Sequence, residues 1–359
     1  MWSMGSLLFA VAALALAFRY APSGPPPRPI HAAAAAAAAA VRGDPAPGSG
    51  AFFDAVAPHY DVANRLISLG LDHSWRDTLV TAVLPDAGGD GDDGDGGGGG
   101  RNGRSGDGQR LAALDVATGT GDVALALAAR PTVRRVVGVD PSVEMLSRAR
   151  DKAAAAAVAA VDTSAADTPP TATDGGSSVV SFEAGVAEAL SYPDGTFDVA
   201  TVAFGVRNFH SRVDGLADLA RVLGPGGVLG VLEVSPPGPG LGGTAARAFV
   251  STVVPLVGGG AGLLRSVEGA AEAVAAKVVA TGDGRGAFDW LAFGRALADG
   301  WSAGVADYTY LAQSMMAFPG PPEFSAMLVT AGFQDVTHTR LGPWGLGPDL
   351  YVATKAAAT

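Results

Sequence analysis

Residues 114–122 read LDVATGTGD and place two glycines, Gly119 and Gly121, at the turn between a predicted strand and a predicted helix. Glycine at such a turn lets the backbone approach a ligand closely. Asp140 ends the next predicted strand, 19 residues after Gly121. An acid at this place binds the ribose hydroxyls of a cofactor in folds of this kind. The spacing therefore predicts a nucleoside cofactor.

The glycine pattern fits two classes of cofactor. Together with Ala124 it satisfies the relaxed dinucleotide fingerprint GxGxxA, which predicts a nicotinamide oxidoreductase. Asp115, inside the strand, and Asp122, directly after Gly121, favour S-adenosylmethionine instead. An acid at a helix N-terminus repels a pyrophosphate but accepts a hydrogen bond from an ammonium group. A tight turn followed by an incidental acid is the alternative without a cofactor.

Strands and helices alternate through most of the chain, which predicts an α/β fold: a doubly wound, mostly parallel sheet of seven strands. The predicted strands are 112–116, 135–140, 179–184, 197–203, 227–234, 334–340 and 350–354, and the predicted helices are 123–129, 143–155, 212–222 and 323–331. We expect N-terminal helices over 52–82 and a helical insertion at about 240–305, placed over the active-site edge. One domain is expected over 51–356, with low-complexity insertions at about 86–110 and 153–178.

Composition excludes several classes of function. The 359 residues are 48% hydrophobic, enough for a sizeable core, and the net charge of −11 argues against nucleic-acid binding, which needs a basic face. Without cysteine the chain has no disulfide, no thiolate nucleophile and no Cys-ligated zinc. The five histidines are scattered, so we expect no metal site.

The first 50 residues have the composition of a targeting leader. Residues 1–17 form a signal-like apolar run that ends in the small-x-small pattern Ala15-Leu16-Ala17. Residues 18–50 are transit-like, with Arg, Pro and a long Ala tract. A signal-like segment followed by a transit-like segment is similar to the bipartite leader of plastid proteins in algae with secondary plastids. We therefore expect a plastid (chloroplast) protein, with the matrix side of the mitochondrial inner membrane as the alternative.

Several further motifs resemble one family of enzymes. They read FDxVAPxYDxxNxxxSxG at 53–70, then Trp75-Arg76, EAL at 188–190, PDxTFD at 193–198, FGxRN at 204–208, RVLxPGG at 221–227, LE at 232–233, YxYLAxS at 308–314 and AGF at 331–333. Together they resemble the ubiquinone/menaquinone biosynthesis C-methyltransferases over most of residues 52–354. The resemblance implies a Rossmann-like class I methyltransferase that uses S-adenosyl-L-methionine to methylate a ring carbon of a prenylated quinol.

The resemblance leaves the substrate ring open. A demethylnaphthoquinol, converted to phylloquinol or menaquinol in a plastid, is the first expectation. A 2-methoxy-6-polyprenyl-1,4-benzoquinol of mitochondrial ubiquinone synthesis is the alternative. A nicotinamide oxidoreductase and a catalytically silent scaffold of a quinone-synthesis complex are the alternatives from other classes, but the oxidoreductase leaves Asp122 and residues 204–208 unexplained.

The cofactor site is expected at eight residues. They are Asp115, Gly119, Thr120, Gly121, Asp140, Val186, Ala187 and Ala203. The resemblance implies that Thr120 and Asp140 contact the cofactor and that Val186 and Ala187 flank the adenine with backbone groups. Ala203 would take a fourth contact position. The family often has a polar residue where this chain has Val186 and Ala203.

Arg207 and Asn208 are the first candidates for catalysis, because they directly follow the predicted strand 197–203. Ligands of open α/β sheets bind at the carboxyl ends of the strands. A ring carbon becomes nucleophilic when the neighbouring hydroxyl loses its proton, and a guanidinium with an amide can stabilise the oxyanion. Arginine itself is no general base, since its pKa exceeds about 12. The structural alternative is a salt bridge from Arg207 to Asp198 or Asp54.

Two further side chains are catalytic candidates. His210 has a side chain of the right pKa for a base near neutral pH, with a solvent-facing turn histidine as the alternative. Tyr60 is expected to donate a hydrogen bond to substrate or cofactor, or else to be an amphipathic core aromatic.

Because a prenylated quinol resides in the bilayer, we also expect peripheral membrane contact through the apolar residues 246–264. A homodimer or a quinone-synthesis complex is the expected assembly.

Overall fold

The structure, a computed structural model, describes seven segments of the chain. They are residues 50–68, 70–84, 110–164, 179–238, 241–281, 290–342 and 347–357. The predicted leader up to residue 49, nearly all of the insertion at 86–110 and residues 165–178 of the second insertion lie outside the described residues.

The chain divides into two compact units, where we expected one domain with an insertion. The described residues of the sheet unit lie within 50–57, 71–235 and 318–357, and those of the helical unit lie within 58–70 and 236–317.

The sheet unit is built on seven strands. They are β1 Leu111–Val116, β2 Val133–Asp140, β3 Val179–Ala184, β4 Phe197–Ala203, β5 Leu223–Glu233, β6 Phe333–Arg340 and β7 Asp349–Lys355. Their order is β3-β2-β1-β4-β5-β7-β6. Strands β1 to β5 pair in parallel, and only β7 runs against its two neighbours. The predicted mostly parallel, seven-stranded α/β sheet is confirmed.

The helices of the chain are numbered in sequence order. They are α1 Gly50–Ile67, α2 Asp72–Val83, α3 Asp122–Ala128, α4 Val143–Ser164, α5 Arg212–Val222, α6 Leu241–Ala248, α7 Val254–Thr281, α8 Trp290–Met316 and α9 Pro321–Thr330. Helix α4 continues nine residues past its predicted end at 155, because the sequence from Ala153 is alanine-rich and alanine has the highest helix propensity.

Both faces of the sheet are covered, as a doubly wound fold requires. Successive residues of β1 point to opposite faces: Leu114 joins an apolar cluster with α5 and α9, and Ala113 joins one with α2, α3 and α4. Because β1 is apolar on both faces, it reads as a nearly continuous hydrophobic run. Because β3, β2, β1 and β4 are parallel neighbours, the carboxyl ends of these four strands lie at one edge of the sheet.

The helical unit packs through glycines. Gly258 and Gly262 of α7 lie against Gly304 and Gly300 of α8, so closely that a Cβ at Gly262 would overlap the carbonyl oxygen of Gly300. Small residues four apart let two helix backbones approach in this way. Among the described residues, one segment, 246–270, is long and apolar enough to cross a membrane by length and composition alone, and 22% of an apolar 18-residue stretch within it is buried.

Candidate functional site

The glycine turn joins β1 to α3. Gly119 and Gly121 have φ angles of +56° and +85°, the left-handed region that glycine adopts without strain. A Cβ at Gly121 would lie 3.0 Å from Phe182, so the turn is tightly packed on that side. At Gly119 a Cβ would meet no atom within 4 Å. The backbone of the turn therefore borders open space at Gly119.

Asp115 lies beneath the turn and is almost fully buried. Its carboxylate accepts hydrogen bonds from the hydroxyls of Thr118 (2.6 Å) and Thr201 (2.7 Å). Burial raises the pKa of Asp115 to about 6, although both hydroxyls favour its charged form. Asp115 thus connects the turn to β4, and its contact with a cofactor stays a prediction.

Asp140, at the end of β2, holds the turn from the other side. Its Oδ2 accepts from the main-chain N–H of Gly119 and its Oδ1 from that of Ser142, both at 2.9 Å. Burial raises the pKa of Asp140, while the two backbone donors favour the charged form. Each carboxylate oxygen can accept a second hydrogen bond. The position therefore suits a ribose hydroxyl.

Asp122 has a different environment from the one we expected. Its carboxylate pairs with Lys152 Nζ at 2.7 Å and lies 3.6 Å from Arg76 Nη1. Lys152 Nζ also donates to the hydroxyl of Thr120 at 2.8 Å. Because Lys152 already compensates Asp122, the argument for an ammonium-bearing cofactor does not rest on this residue.

The remaining predicted cofactor residues follow β3 and β4. Gly185 directly follows β3 and precedes Val186 and Ala187, and its main-chain N–H donates to the carbonyl oxygen of Asp140 at the end of β2 (3.2 Å). Ala203 is the last residue of β4 and is half-buried. The structure thus brings the predicted residues to the carboxyl ends of four adjacent strands. Their contacts with a cofactor stay predictions.

Arg207 lies in a short 3₁₀ turn, Val206–Asn208, just beyond β4. Its side chain is 4% exposed and forms an ion pair with the fully buried Glu233 at the end of β5. The structural alternative, a salt bridge of Arg207, is thus present, but its predicted partner, Asp198 or Asp54, is wrong. Asp198 accepts from the main-chain N–H of Ala112 instead (2.9 Å). Glu233 lies 26 residues further along the chain, and no sequence pattern indicates it as the partner of Arg207.

The other candidates near Arg207 differ in exposure. Asn208 is half-buried, and its main-chain N–H bonds the carbonyl oxygen of Gly205 at 2.9 Å. His210 is exposed between the 3₁₀ turn and α5, which agrees with the solvent-facing alternative. The structure therefore places Arg207 at the edge of the sheet and His210 at the surface.

Backbone strain occurs at this same edge. Ala117, after β1, and Phe204, after β4, have φ angles of +54° and +58°. Positive φ is unfavourable for residues with a Cβ, and such strain is concentrated at functional sites. The guanidinium carbon of Arg76 lies 5.9 Å from the centre of the Phe204 ring. Two adjacent strand ends are thus held in an unusual conformation beside the glycine turn.

Tyr60 belongs to the helical unit. It is half-buried, and its electrostatic neighbour is the buried Tyr308 of α8. Burial, and then Tyr60, raises the pKa of Tyr308 above the ordinary tyrosine value. The contact of Tyr60 with substrate or cofactor stays a prediction.

Sequence reasoning missed several residues that support the site. Asp54 accepts from the Ser142 hydroxyl (2.6 Å) and from Glu144 N (3.1 Å), so these side chains cap α4 beside Asp140. A serine before a helical pattern with Glu in its first turn could have indicated this cap. Lys152 lies 30 residues from Asp122, and no local pattern connects them. Among the described residues, no group of acids and histidines could hold a metal ion.

The sheet order, the single reversed strand β7 and the glycine turn after β1 define a class I methyltransferase. Comparison with known proteins narrows the class. The model of the ubiE/COQ5 methyltransferase family matches residues 48–261, and this chain belongs to that family. The resemblance found in the motifs is confirmed, and the chain is an S-adenosylmethionine-dependent C-methyltransferase rather than a nicotinamide oxidoreductase.

Three relatives illustrate the similarity. The demethylmenaquinone methyltransferase of Deinococcus radiodurans is 32% identical over 79% of this chain and 83% of its own length. The demethylmenaquinone methyltransferase of Thermus thermophilus is 34% identical over 78% of this chain and 90% of its own. The ubiquinone/menaquinone biosynthesis C-methyltransferase UbiE of Geobacter sulfurreducens is 31% identical over 80% of each chain.

Proposed function

We propose that this protein methylates the ring carbon of a prenylated demethylnaphthoquinol and so completes a menaquinol or phylloquinol. Two of the three relatives described above are named for demethylmenaquinone, which supports the naphthoquinol ring. The third is named for both ubiquinone and menaquinone, which keeps the 2-methoxy-6-polyprenyl-1,4-benzoquinol as the second candidate.

The methyl donor fits the glycine turn. Open space borders Gly119, and the Asp140 carboxylate keeps acceptor capacity for ribose hydroxyls beside it. S-adenosylmethionine, when bound, supplies an electrophilic methyl group on a sulfonium. Asp140, Thr120 and the backbone of Val186 and Ala187 are the groups that would hold it.

Arg207 carries the chemical argument. It follows β4, which pairs with β1 and therefore ends beside the strand that leads into the glycine turn. Its buried guanidinium can stabilise the ring oxygen as that oxygen loses its proton. The oxygen's negative charge raises the electron density of the neighbouring ring carbon. That carbon can then bond to the methyl group as the sulfonium–methyl bond breaks and the neutral thioether leaves, and it afterwards loses its own proton to water to restore the aromatic ring.

The reaction is tested by supplying the purified protein with S-adenosylmethionine and short-tailed quinols in detergent. We expect a methylated product by mass spectrometry from the demethylnaphthoquinol, at a higher rate than from the benzoquinol. A higher rate with the benzoquinol would replace the first substrate by the second. Methylation of neither quinol would contradict the proposed function.

We propose that the helical unit contacts the membrane that holds the substrate. Segment 246–270 is apolar, and Leu256 (46% exposed) and Leu264 (54% exposed) lie on α7. Exposed apolar side chains on one helix are typical of interfacial contact.

Liposome flotation tests the membrane contact. Replacing Leu256 and Leu264 by Asp should abolish flotation of the protein. A matched control replaces Val143 and Val213 by Asp; these residues of the sheet unit are even more exposed (67% and 62%), and the variant should float like the wild type. Equal flotation of both variants, or no flotation of the wild type, would contradict the contact.

The plastid is the proposed location, on the composition of residues 1–50 alone. A fluorescent protein fused behind residues 1–50 and expressed in an alga with a secondary plastid tests the leader. Fluorescence in mitochondria would favour the alternative location and, with it, the benzoquinol.

A further inference from the structure

Glu233 holds Arg207 at two points. Its Oε1 accepts from Arg207 Nη1 and from the main-chain N–H of Val234 (2.9 Å), and its Oε2 accepts from the main-chain N–H of Arg207 (3.2 Å). The two side chains are 0% and 4% exposed. Because one carboxylate binds both the backbone and the guanidinium of the same residue, it sets the direction of the Arg207 side chain.

Glu233 does not use the other edge of the Arg207 guanidinium. Nε–H and one N–H of Nη2 point the same way along that edge and form a planar fork. Nε is buried and donates to no described residue, as is also the case for Nε of Arg148 in α4 and of Arg212 in α5, which do not follow a strand directly. Buried donors without a partner are rare in native proteins, and each one needs an explanation. A ligand oxygen is the partner that a strand-end position at the carboxyl edge predicts.

A neighbouring ion pair shows the usual alternative. Asp349 of β7 is the register partner of Glu233 and is equally buried. Its carboxylate binds Nε and Nη2 of Arg340 at 2.7 and 2.6 Å, so the fork of Arg340 is filled by the acid. Glu233 takes Nη1 of Arg207 instead. The two pairs lie side by side, yet only Arg207 keeps its fork for another partner.

We propose that Glu233 is a positioning residue that directs the Nε/Nη2 fork of Arg207 at the ring hydroxyl oxygen of the quinol. The proposal rests on the proposed function, in which Arg207 stabilises the negative charge of that oxygen. Two parallel N–H donors bind an oxyanion better than a single point charge does. Glu233 also neutralises Arg207 before the oxygen ionises, so the pair is buried without net charge.

The test is a double-mutant cycle on the full chain, with Glu233→Gln, Arg207→Lys, the combined variant and Asp349→Asn as the matched control. Turnover of a short-tailed demethylnaphthoquinol is divided by the fraction of molecules that bind S-adenosylmethionine in calorimetry, so that unfolded protein is not counted. Arg207→Lys keeps the charge but lacks the fork, and we expect its kcat to fall about 10²-fold. Glu233→Gln alone should lower kcat about tenfold or more, with the Kd for S-adenosylmethionine unchanged.

In the Arg207→Lys background, Glu233→Gln should change kcat less than about threefold, because it acts through the fork that lysine lacks. Asp349→Asn should keep the wild-type kcat per binding-competent molecule. If Glu233→Gln does not fold, Glu233→Asp, which keeps the charge and shortens the reach, takes its place in the cycle.

The outcomes separate the two levels of the proposal. Wild-type kcat in Arg207→Lys would show that a positive charge without the fork is enough and would overturn the positioning role, whereas methylation of neither quinol by the wild type would contradict the proposed function itself. Loss of kcat in Arg207→Lys, combined with equal effects of Glu233→Gln in both backgrounds, would overturn the positioning role alone. An equal loss in Asp349→Asn would also overturn it, since any buried acid at this edge would then have the same effect.

Discussion

Replacing Asp115 by asparagine makes the electrostatics beneath the glycine turn measurable. Burial raises the pKa of this carboxyl from 3.8 to about 6, so the folded protein binds the proton more tightly than the unfolded chain does. Stability is therefore lost as the pH rises from about 3.8 through 6, and the whole loss is present above that range. At 1.36 kcal/mol per pKa unit, the total is about 3 kcal/mol.

Only part of this loss falls within a convenient pH range. Integration between pH 5 and pH 7.5 gives about 1.4 kcal/mol for the wild type. Asparagine does not titrate, but it keeps the size of the side chain and an acceptor for Thr118 or Thr201. The free energy of unfolding of Asp115→Asn minus that of the wild type should therefore be larger at pH 7.5 than at pH 5, by on the order of 1 kcal/mol, so that the variant is relatively more stable at the higher pH.

Urea unfolding followed by circular dichroism at the two pH values gives this difference. Asp151→Asn, at an exposed position of α4, is the matched control and should show the same difference from wild type at both pH values. A pH-independent difference for Asp115→Asn would mean that Asp115 titrates like an ordinary carboxyl, and the argument from burial would fail.

Three further predictions concern other parts of the chain. Asp140→Ala should weaken S-adenosylmethionine binding in calorimetry by about 1.5–3 kcal/mol, the scale of a hydrogen bond to a charged group, and an unchanged Kd in a folded variant would contradict the ribose contact. Deletion of residues 88–108, a polar Gly/Asp run, should leave turnover and melting temperature nearly unchanged, and a large loss of either would show that the run packs or binds something. Gly262→Ala should lower the melting temperature because its Cβ would overlap the Gly300 carbonyl, whereas Gly260→Ala, which meets no atom within 4 Å, should not; equal melting temperatures would contradict the close packing of α7 and α8.

The secondary structure of the sheet unit was largely predictable because it follows from local patterns. The predicted strands 179–184 and 197–203 and the helix 212–222 agree with the structure at both ends. Strand β5 begins four residues before its predicted start, since Leu223 pairs with Phe197 ahead of a register irregularity. The Gly/Pro-rich residues 223–227 predict a turn from sequence alone, and they begin a strand only because they pair with β4.

The candidate site divides in the same way. Gly119, Gly121 and Asp140 could be named from spacing, because a left-handed turn and a strand-end acid are properties of short segments. The partners of Asp122 and Arg207 could not be named, and for Arg207 we chose the wrong acids. Lys152 and Glu233 lie 30 and 26 residues away from these side chains. Many acids and bases are equally distant in sequence, so charge alone does not select a partner.

The sequence by itself determined the alternation of strands and helices, the place of the glycine turn and membership of a methyltransferase family, because periodicity, backbone freedom and motif identity are carried by residues close together in the chain. Tertiary structure decided which carboxylate meets which guanidinium. In the sheet, β5 lies beside β4, so Glu233 at the end of β5 lies next to Arg207, which follows β4. Burial then set the properties of these groups, because it removes the water that would otherwise solvate them. Removal of water makes an unpaired N–H costly and raises the pKa of a carboxyl, and no sequence pattern shows which groups lose their water.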